Sequence, residues 1–203
     1  MRAERQEERQ RQIEAAAYEV LAEKGYKATS MLVIAKHAAA SNETLYRWYG
    51  NKQALFASLV RRKAQAARTH LERSASGNAD PIEVLRGLAP MLLETVTSDR
   101  AVALNRAAVG DVHETATLGA TIAEGGRDAI LPLLAGLIEA GRKAGALDCD
   151  DHEEAAETFI GLLIGDLQIR RAIGVLPSLE GQEIAARAER AIRLFLRLYG
   201  SRR

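Results

Sequence analysis

The chain has very little cysteine and no long apolar run. Cys149 is its single cysteine, so no disulfide can form within the chain. That usage is typical of a reducing compartment, and we expect a cytoplasmic protein. No apolar stretch approaches the length needed to cross a bilayer, and the charged N-terminus has no apolar signal-peptide core. These absences predict a protein that neither spans nor enters a membrane.

The sequence signatures of enzymes are also missing. His113-Glu114 and His152-Glu153 begin like a zinc-binding helix, but neither continues to the second histidine of H-E-x-x-H. Gly125-Gly126 lacks the lysine and further glycines of a phosphate loop, and no serine occupies a nucleophile elbow. The acidic cluster at 148–152 is better explained as a helix start than as a metal site. We therefore expect no catalytic site, no cofactor and no metal.

The remaining composition is that of a globular chain with an uneven charge distribution. Of the 203 residues, 47% are hydrophobic and 27% are charged, which suits a packed core and excludes wholesale disorder. The net charge is only +1, yet residues 1–73 carry +6 and the remainder carries −5. A basic N-terminal third is the electrostatic footprint expected of a protein that approaches phosphate, with chance asymmetry as the alternative.

Two short helical patterns joined by a turn of small residues occupy positions 30–52. Ser30 is placed to cap the first helix, and Ser41 is placed to cap the second. Ala39-Ala40 leaves room for a sharp reversal between them. Leu45 points back at the supporting helices, while polar and aromatic residues face outward. This pattern predicts a helix-turn-helix, whose second helix presents its N-terminal residues to the major groove of DNA.

A surface helical hairpin in a larger bundle is the alternative interpretation of these positions. A merely solvated face would be rich in Glu and Lys. The second helix instead carries amide, hydroxyl, guanidinium and aromatic groups, which suit base edges and phosphates. The composition of the face therefore favours DNA binding.

The same stretch resembles the DNA-binding region of the TetR/AcrR repressors. The resemblance rests on T-S-x-x-x-I-A-K-x-A at 29–38 and T-L-Y-R-W-Y-x-N-K-x-A-L-F at 44–56. Two positions depart from the family pattern, since the turn has Ala39 where glycine is usual and the second helix starts with Asn42-Glu43 where lysine is common. An alanine in this turn must either avoid a positive φ or tolerate strain.

The motif and the resemblance together imply two sets of DNA contacts. Base contacts are expected from Asn42, Thr44 and Arg47, with Glu43 accepting from cytosine. Phosphate contacts are expected from Thr29, Ser30, Tyr46, Trp48 and Lys52. Lys52 follows the helix cap Asn51, so it lies at a helix N-terminus that attracts anions; an ordinary exposed lysine is the alternative.

The rest of the chain is helical in pattern, so the predicted fold class is all-α. We expect an N-terminal three-helix domain with the helix-turn-helix at 1–50, a connecting helix at 51–74, and a helical effector-binding and dimerisation domain at 75–203. Pro90 and Pro132 lie inside helical patterns. They reflect either a tolerant bundle or kinked helices that surround a ligand cavity.

The last two helical patterns cover about 151–174 and 181–199. Their apolar stripes are wider than one-sided packing needs, so we expect two helices from each subunit to form a four-helix dimer interface. Ordinary core packing is the alternative. The expected interface residues are Phe159, Leu163, Leu167, Ala188, Ile192 and Phe195.

The C-terminal half is also similar to the regulatory domain of one TetR branch, in F-I-G-L-L-I-G-D-L-Q-I-R at 159–170 and A-I-R-L-F-L-R-L-Y-G at 191–200. The predicted function is therefore a homodimeric, ligand-responsive repressor. It would bind a two-fold-symmetric operator in double-stranded DNA and be released by a small, largely apolar effector. The expected effector-lining residues are Met91, Leu104, Ile122 and Phe159. An enzyme, or a helical small-molecule-binding protein without a DNA role, is the alternative, and it leaves the basic N-terminal third unexplained.

Overall fold

The structure is a computed structural model that describes residues 2–75 and 79–201. Within these residues it has eleven α-helices, and its only β-type pairing is an isolated bridge between Leu147 and Gly200. The all-α prediction is confirmed. The helices are α1 Arg2–Ala28, α2 Met31–His37, α3 Asn42–Tyr49, α4 Lys52–Ala75, α5 Pro81–Thr97, α6 Asp99–Asp111, α7 Thr117–Gly125, α8 Arg127–Lys143, α9 His152–Ile164, α10 Leu167–Ala172 and α11 Gly181–Tyr199.

Capping side chains set the starts of several helices. Asn51 and Asp80 each accept a backbone amide of the following turn at 2.8 Å. Asp151 accepts the amides of Glu153 and Glu154 at 2.8 and 3.1 Å. The acidic cluster predicted to be a helix start is therefore the N-terminus of α9, where carboxylates also oppose the positive end of the helix dipole.

Glycines end or interrupt several helices, and one of them divides a pattern that the sequence predicted as a single helix. Gly165 has φ 52°, which ends α9 and separates it from α10 inside the pattern at 151–174. Gly126, at φ −111° and ψ −94°, separates α7 from α8. Gly25 adopts φ 73° and interrupts α1 near its end. A right-handed helix cannot continue through such backbone conformations.

The chain folds as two compact units, which we call the head and the body. The head comprises Met1–Arg62 and Arg100–Gly125, and the body comprises Lys63–Asp99 and Gly126–Arg203. This division differs from the predicted one at 1–50, 51–74 and 75–203. The α6–α7 segment was expected in the effector domain but packs with the helix-turn-helix. Residues 76–78 of the predicted linker lie outside the described residues.

The head has its own hydrophobic core, built from α1 to α4 together with α6 and α7. Tyr26 packs edge-on against Phe56, with 5.4 Å between the ring centroids. The fully or almost fully buried members include Ile13, Val20, Ile34, Leu45, Phe56, Leu104 and Leu118. Because α6 and α7 contribute to this core, the head is more than a three-helix domain.

The body core lies between α5, α8, α9 and α11. Phe159 and Phe195 meet edge-to-face at its centre, with 5.4 Å between the ring centroids. Helices α5 and α8 run continuously through Pro90 and Pro132. Within the described residues, no helix is both long and apolar enough to cross a membrane.

The residues predicted to form the dimer interface are core residues of a single chain. None of the six is more than 9% exposed. They are Phe159, Leu163, Leu167, Ala188, Ile192 and Phe195. Helix α9 packs against both α8 and α11 of its own chain, and α11 also packs against α5. The wide apolar stripes therefore reflect packing on two sides within one subunit, which was the alternative interpretation.

Candidate nucleic-acid interface

The two helices of the helix-turn-helix are capped as the sequence predicted. The Ser30 hydroxyl accepts the amide of Val33 at 3.2 Å and starts α2. The Ser41 hydroxyl accepts the amide of Thr44 at 3.0 Å and starts α3. Each bond satisfies an amide that the helix leaves without a partner at its first turn. Both helix starts are thus set by local sequence.

The turn between them is strained at the position where alanine replaces glycine. Ala39 has φ 47°, in the left-handed region that an L-residue adopts at a cost of about 1–2 kcal/mol. The amide of Ala40 donates to the carbonyl of Ala35 at 2.8 Å, and the Arg9 guanidinium donates to the carbonyl of Ala39. Of the two alternatives, the turn therefore tolerates a positive φ, and hydrogen bonds on both sides of Ala39 hold it there.

Helix α3 presents a polar and aromatic face to solvent. Its exposed side chains are Asn42, Glu43, Tyr46 and Arg47. Leu45 is completely buried and anchors the helix in the head core. Thr44 and Trp48 are half-buried, and the Thr44 hydroxyl lies 2.8 Å from that of Ser41. The exposed side chains of α3 therefore lie on the face opposite Leu45.

Thr29 and Ser30, at the start of α2, were both predicted to contact phosphate, but only one of them is exposed. Ser30 is exposed, with its hydroxyl accepting the capping bond. Thr29 is only 1% exposed, and its hydroxyl donates to the carbonyl of Gly25 at 2.7 Å. Thr29 closes the end of α1 behind the left-handed Gly25, so its side chain does not face a DNA phosphate. This corrects the predicted contact set.

Lys52 is held in place at the start of α4. Its Nζ donates to the carbonyl of Tyr26 at 2.8 Å and lies 4.0 Å from the centroid of the Tyr26 ring. Burial lowers the pKa of Lys52, and the charge of Asp111 opposes that shift. The carbonyl uses one of the three N–H donors of the ammonium group. Lys52 is thus a half-buried, pre-positioned cation at a helix N-terminus.

The turn between α6 and α7 was not identified from the sequence as a structured part of the head. We call residues 111–118 the α6–α7 corner. Asp111 is 2% exposed, and its carboxylate accepts the hydroxyl of Thr115 and the amides of Thr115, Thr117 and Leu118. Desolvation raises the pKa of Asp111, but these hydrogen bonds outweigh it and the pKa lies below its usual value. The sequence signal that could have revealed this turn is an aspartate followed by two threonines just before a helix start.

The four residues expected to line an effector pocket are not brought together. Leu104 and Ile122 belong to the head, where Leu104 is buried in the core and Ile122 packs against it. Met91 is half-buried and Phe159 fully buried in the body. Helical periodicity shows which face of a helix is apolar but not which unit that face joins.

A capped helix-turn-helix with an outward polar α3 defines the DNA-binding part of a transcriptional regulator. The family of bacterial regulatory proteins called tetR matches residues 13–59, and the C-terminal domain of AefR-like transcriptional repressors matches residues 83–201. The second match alone covers more than half of the chain. The chain therefore belongs to the TetR family of DNA-binding transcriptional regulators, which are not enzymes.

Solved structures of regulators have the same fold. The flavonoid-responsive regulator FrrA is 30% identical, covers 97% of this chain and 99% of its own, and superposes with a TM-score of 0.68. A TetR regulator from Agrobacterium tumefaciens is 34% identical over 95% of both chains, with a TM-score of 0.72. FadR from Bacillus subtilis, in complex with stearoyl-CoA, is 21% identical over 91% of this chain and 96% of its own, with a TM-score of 0.69, and shares the fold. No curated protein sequence matches this chain significantly.

Proposed function

We propose that this protein is a ligand-responsive repressor that binds a two-fold-symmetric operator as a homodimer and leaves it when a small, largely apolar effector binds. The observation that carries the proposal is the outward face of α3. It combines amide, carboxylate, phenol and guanidinium groups on a helix that is capped and anchored in a separate head. Such groups suit base edges and phosphates better than they suit plain solvation.

In this proposal α3 enters the major groove with its N-terminal residues toward the bases. Base contacts come from Asn42, Thr44 and Arg47, and Glu43 accepts from the amino group of cytosine. Phosphate contacts come from Ser30, Tyr46, Trp48 and Lys52. The exposure of Asn42, Glu43 and Arg47 supports the first set, and the fixed ammonium of Lys52 supports the second. Thr29 is left out because it is buried.

The homodimer is proposed to form through the outward faces of α9 and α11. Gly161 is exposed on α9, and a β-carbon added there would lie more than 4 Å from every atom of the described residues, apart from its own surroundings in the helix. A second helix can therefore approach α9 closely at this point. The outward face of α11 carries Arg190, Arg193 and Arg197, whereas α9 exposes Glu153 and Glu154. These opposite charges suit a two-fold contact between copies.

The effector is proposed to bind inside the body, near Met91 of α5 and Phe159 of α9. Helices α5 and α9 contact each other, and both contribute buried apolar side chains to the body core. FrrA responds to a flavonoid, and FadR was solved with stearoyl-CoA. A flavonoid is largely apolar and stearoyl-CoA carries a long apolar chain, which supports an effector with a large apolar part here. A ligand that favours a different separation of the two α3 helices lowers the affinity for DNA, because it binds the two states differently.

Selection from a library of random duplexes at physiological salt tests the proposal. We expect enriched inverted repeats whose half-sites lie about 34–36 Å apart, or a small multiple, on one face of the DNA. Addition of flavonoids and of acyl-CoAs to the selected complex then identifies a releasing effector class. Ligand binding without enrichment of any duplex would overturn the proposal in favour of a carrier.

A further inference from the structure

The α6–α7 corner lies in the sequence that matches the regulatory C-terminal domain, yet it packs in the head. We propose that Asp111, at the centre of this corner, is a positioning residue for DNA binding. Its buried carboxylate holds the corner against Tyr26, and Tyr26 in turn fixes Lys52 where a DNA phosphate would meet it. This assignment deepens the proposed function and rests on the phosphate role given there to Lys52.

Asp111 organises the corner from the inside. Its carboxylate oxygens lie 2.8 and 2.6 Å from the Thr115 hydroxyl and 3.2 Å from the amide of Thr117. The amide of Leu118, whose side chain is fully buried in the head core, donates to the same carboxylate at 3.3 Å. One buried charge therefore sets the turn, starts α7 and directs Leu118 inward.

A continuous series of contacts leads from the corner to Lys52. Burial raises the pKa of Tyr26, and the Thr117 side chain opposes that rise, so the Tyr26 hydroxyl and the Thr117 side chain lie close together. The backbone carbonyl of Tyr26 accepts from Lys52 at 2.8 Å, and its ring lies 4.0 Å from the Lys52 ammonium. An ion pair of 2.6 Å between Lys27 and Glu114 adds a second tie between the corner and the end of α1. The corner is thus bound to α1 beside the lysine.

Helix α6 also contacts α1 at its other end. The guanidinium of Arg100 lies 5.1 Å from the centroid of the Tyr18 ring. At the end of α7, a β-carbon on Gly125 would come within 2.9 Å of a methyl group of Val60 in α4. The segment that carries Asp111 therefore lies against α1 and α4 along its length, and a shift of this segment moves the support of Lys52.

The direction of the change in DNA affinity distinguishes a positioning role of Asp111 from a purely electrostatic effect of its charge. Asp111 is negative and the nearby DNA is negative, so removing the charge should by electrostatics alone strengthen binding to every duplex. Positioning predicts the opposite. A lysine that is not held must lose the freedom of its long side chain on each encounter, so the phosphate contact weakens when its support is removed.

The test is Asp111→Asn in the full-length protein, measured on a duplex that the wild type has enriched, over a series of salt concentrations. We expect the affinity to fall about tenfold and the salt slope to decrease by about one, as for Lys52→Ala. The double variant should bind no more weakly than Lys52→Ala alone, because both changes remove the same contact. Stronger binding, or independent effects in the double variant, would overturn the assignment.

Two further variants keep the test decisive if Asp111→Asn folds poorly. Tyr26→Phe removes only the hydroxyl that contacts Thr117 and keeps the ring under Lys52, and it should lower the salt slope in the same direction. Asp151→Asn is the matched control, since Asp151 is also a capping carboxylate that accepts two amides but lies in the body. Its salt slope should equal that of the wild type.

An unchanged slope in Lys52→Ala would overturn the role of Lys52 itself. A reduced slope in Lys52→Ala alone, with Tyr26→Phe unchanged, would overturn only the role of the corner.

Discussion

Replacing Ala39 with glycine should stabilise the head, although glycine usually destabilises a folded chain. Ala39 has φ 47°, where an L-residue carries a strain of about 1–2 kcal/mol that glycine does not. Glycine adds about 0.5–1 kcal/mol of chain entropy to the unfolded state. The Ala39 side chain is exposed, so its loss removes little packing. The expected net change is an increase of about 0.5–1 kcal/mol in the free energy of unfolding.

Trp48 provides the assay, because it is the only tryptophan of the chain and lies in α3 of the head. Denaturation by urea, followed by Trp48 fluorescence, should show a higher midpoint for Ala39→Gly with an unchanged slope. Ala38→Gly is the neighbouring control. Ala38 has φ −77°, so glycine relieves no strain there and should destabilise the head by about 0.5–1 kcal/mol. Ala116 is exposed and has φ 52°, so Ala116→Gly should also stabilise.

The comparison of the urea midpoints of Ala39→Gly and Ala38→Gly tests whether the turn is strained at Ala39. If Ala39→Gly and Ala38→Gly lower the midpoint equally, the left-handed turn is not a source of strain and the reasoning is refuted. An increase for Ala39→Gly that also changes the slope would point instead to an altered denatured state.

Three further outcomes are expected. Arg47→Ala should cost about 1–3 kcal/mol on the selected duplex and relax its base preference; an equal loss on all duplexes contradicts base reading. Gly161→Arg should give monomers in sedimentation experiments, whereas Gly136→Arg, at an equally open exposed position on α8, should remain dimeric. A persistent Gly161→Arg dimer rules out that face. The pKa of Asp111 is lowered on folding, so its stabilising contribution is present above the unfolded value near 4 and is lost as the pH falls through the folded value. Head unfolding, measured by Trp48 fluorescence, should therefore depend less on acid in Asp111→Asn than in the wild type.

The parts of the fold that could be predicted were those that depend on neighbouring residues. Ser30, Ser41 and Asn51 cap the helices for which they were proposed, because a hydroxyl or side-chain amide oxygen needs only the next turn of backbone as its partner. The outward and inward faces of α3 followed from the 3.6-residue period in the same way. Leu45 is buried and Arg47 is exposed, as that period requires.

The errors have one physical origin, which is that burial depends on the partner of a helix. The apolar stripes of α9 and α11 were real, but helices of the same chain cover both sides of them, so Phe159 and Phe195 meet each other. Leu104 was placed in an effector pocket from its helix face and its position in the chain. In the structure it belongs to the head core, and neighbours in sequence here lie in different units.

The amino-acid sequence by itself determined the all-α class, several helix caps, the helix-turn-helix and the residues that α3 turns outward, because these depend on bonds and periodicities within a few residues. Only the tertiary structure decided that Thr29 is buried, that Lys52 is held on Tyr26, and that the α6–α7 corner joins the head. Each of these results from contacts between segments distant along the chain, and such contacts leave no mark on the local pattern of any one segment.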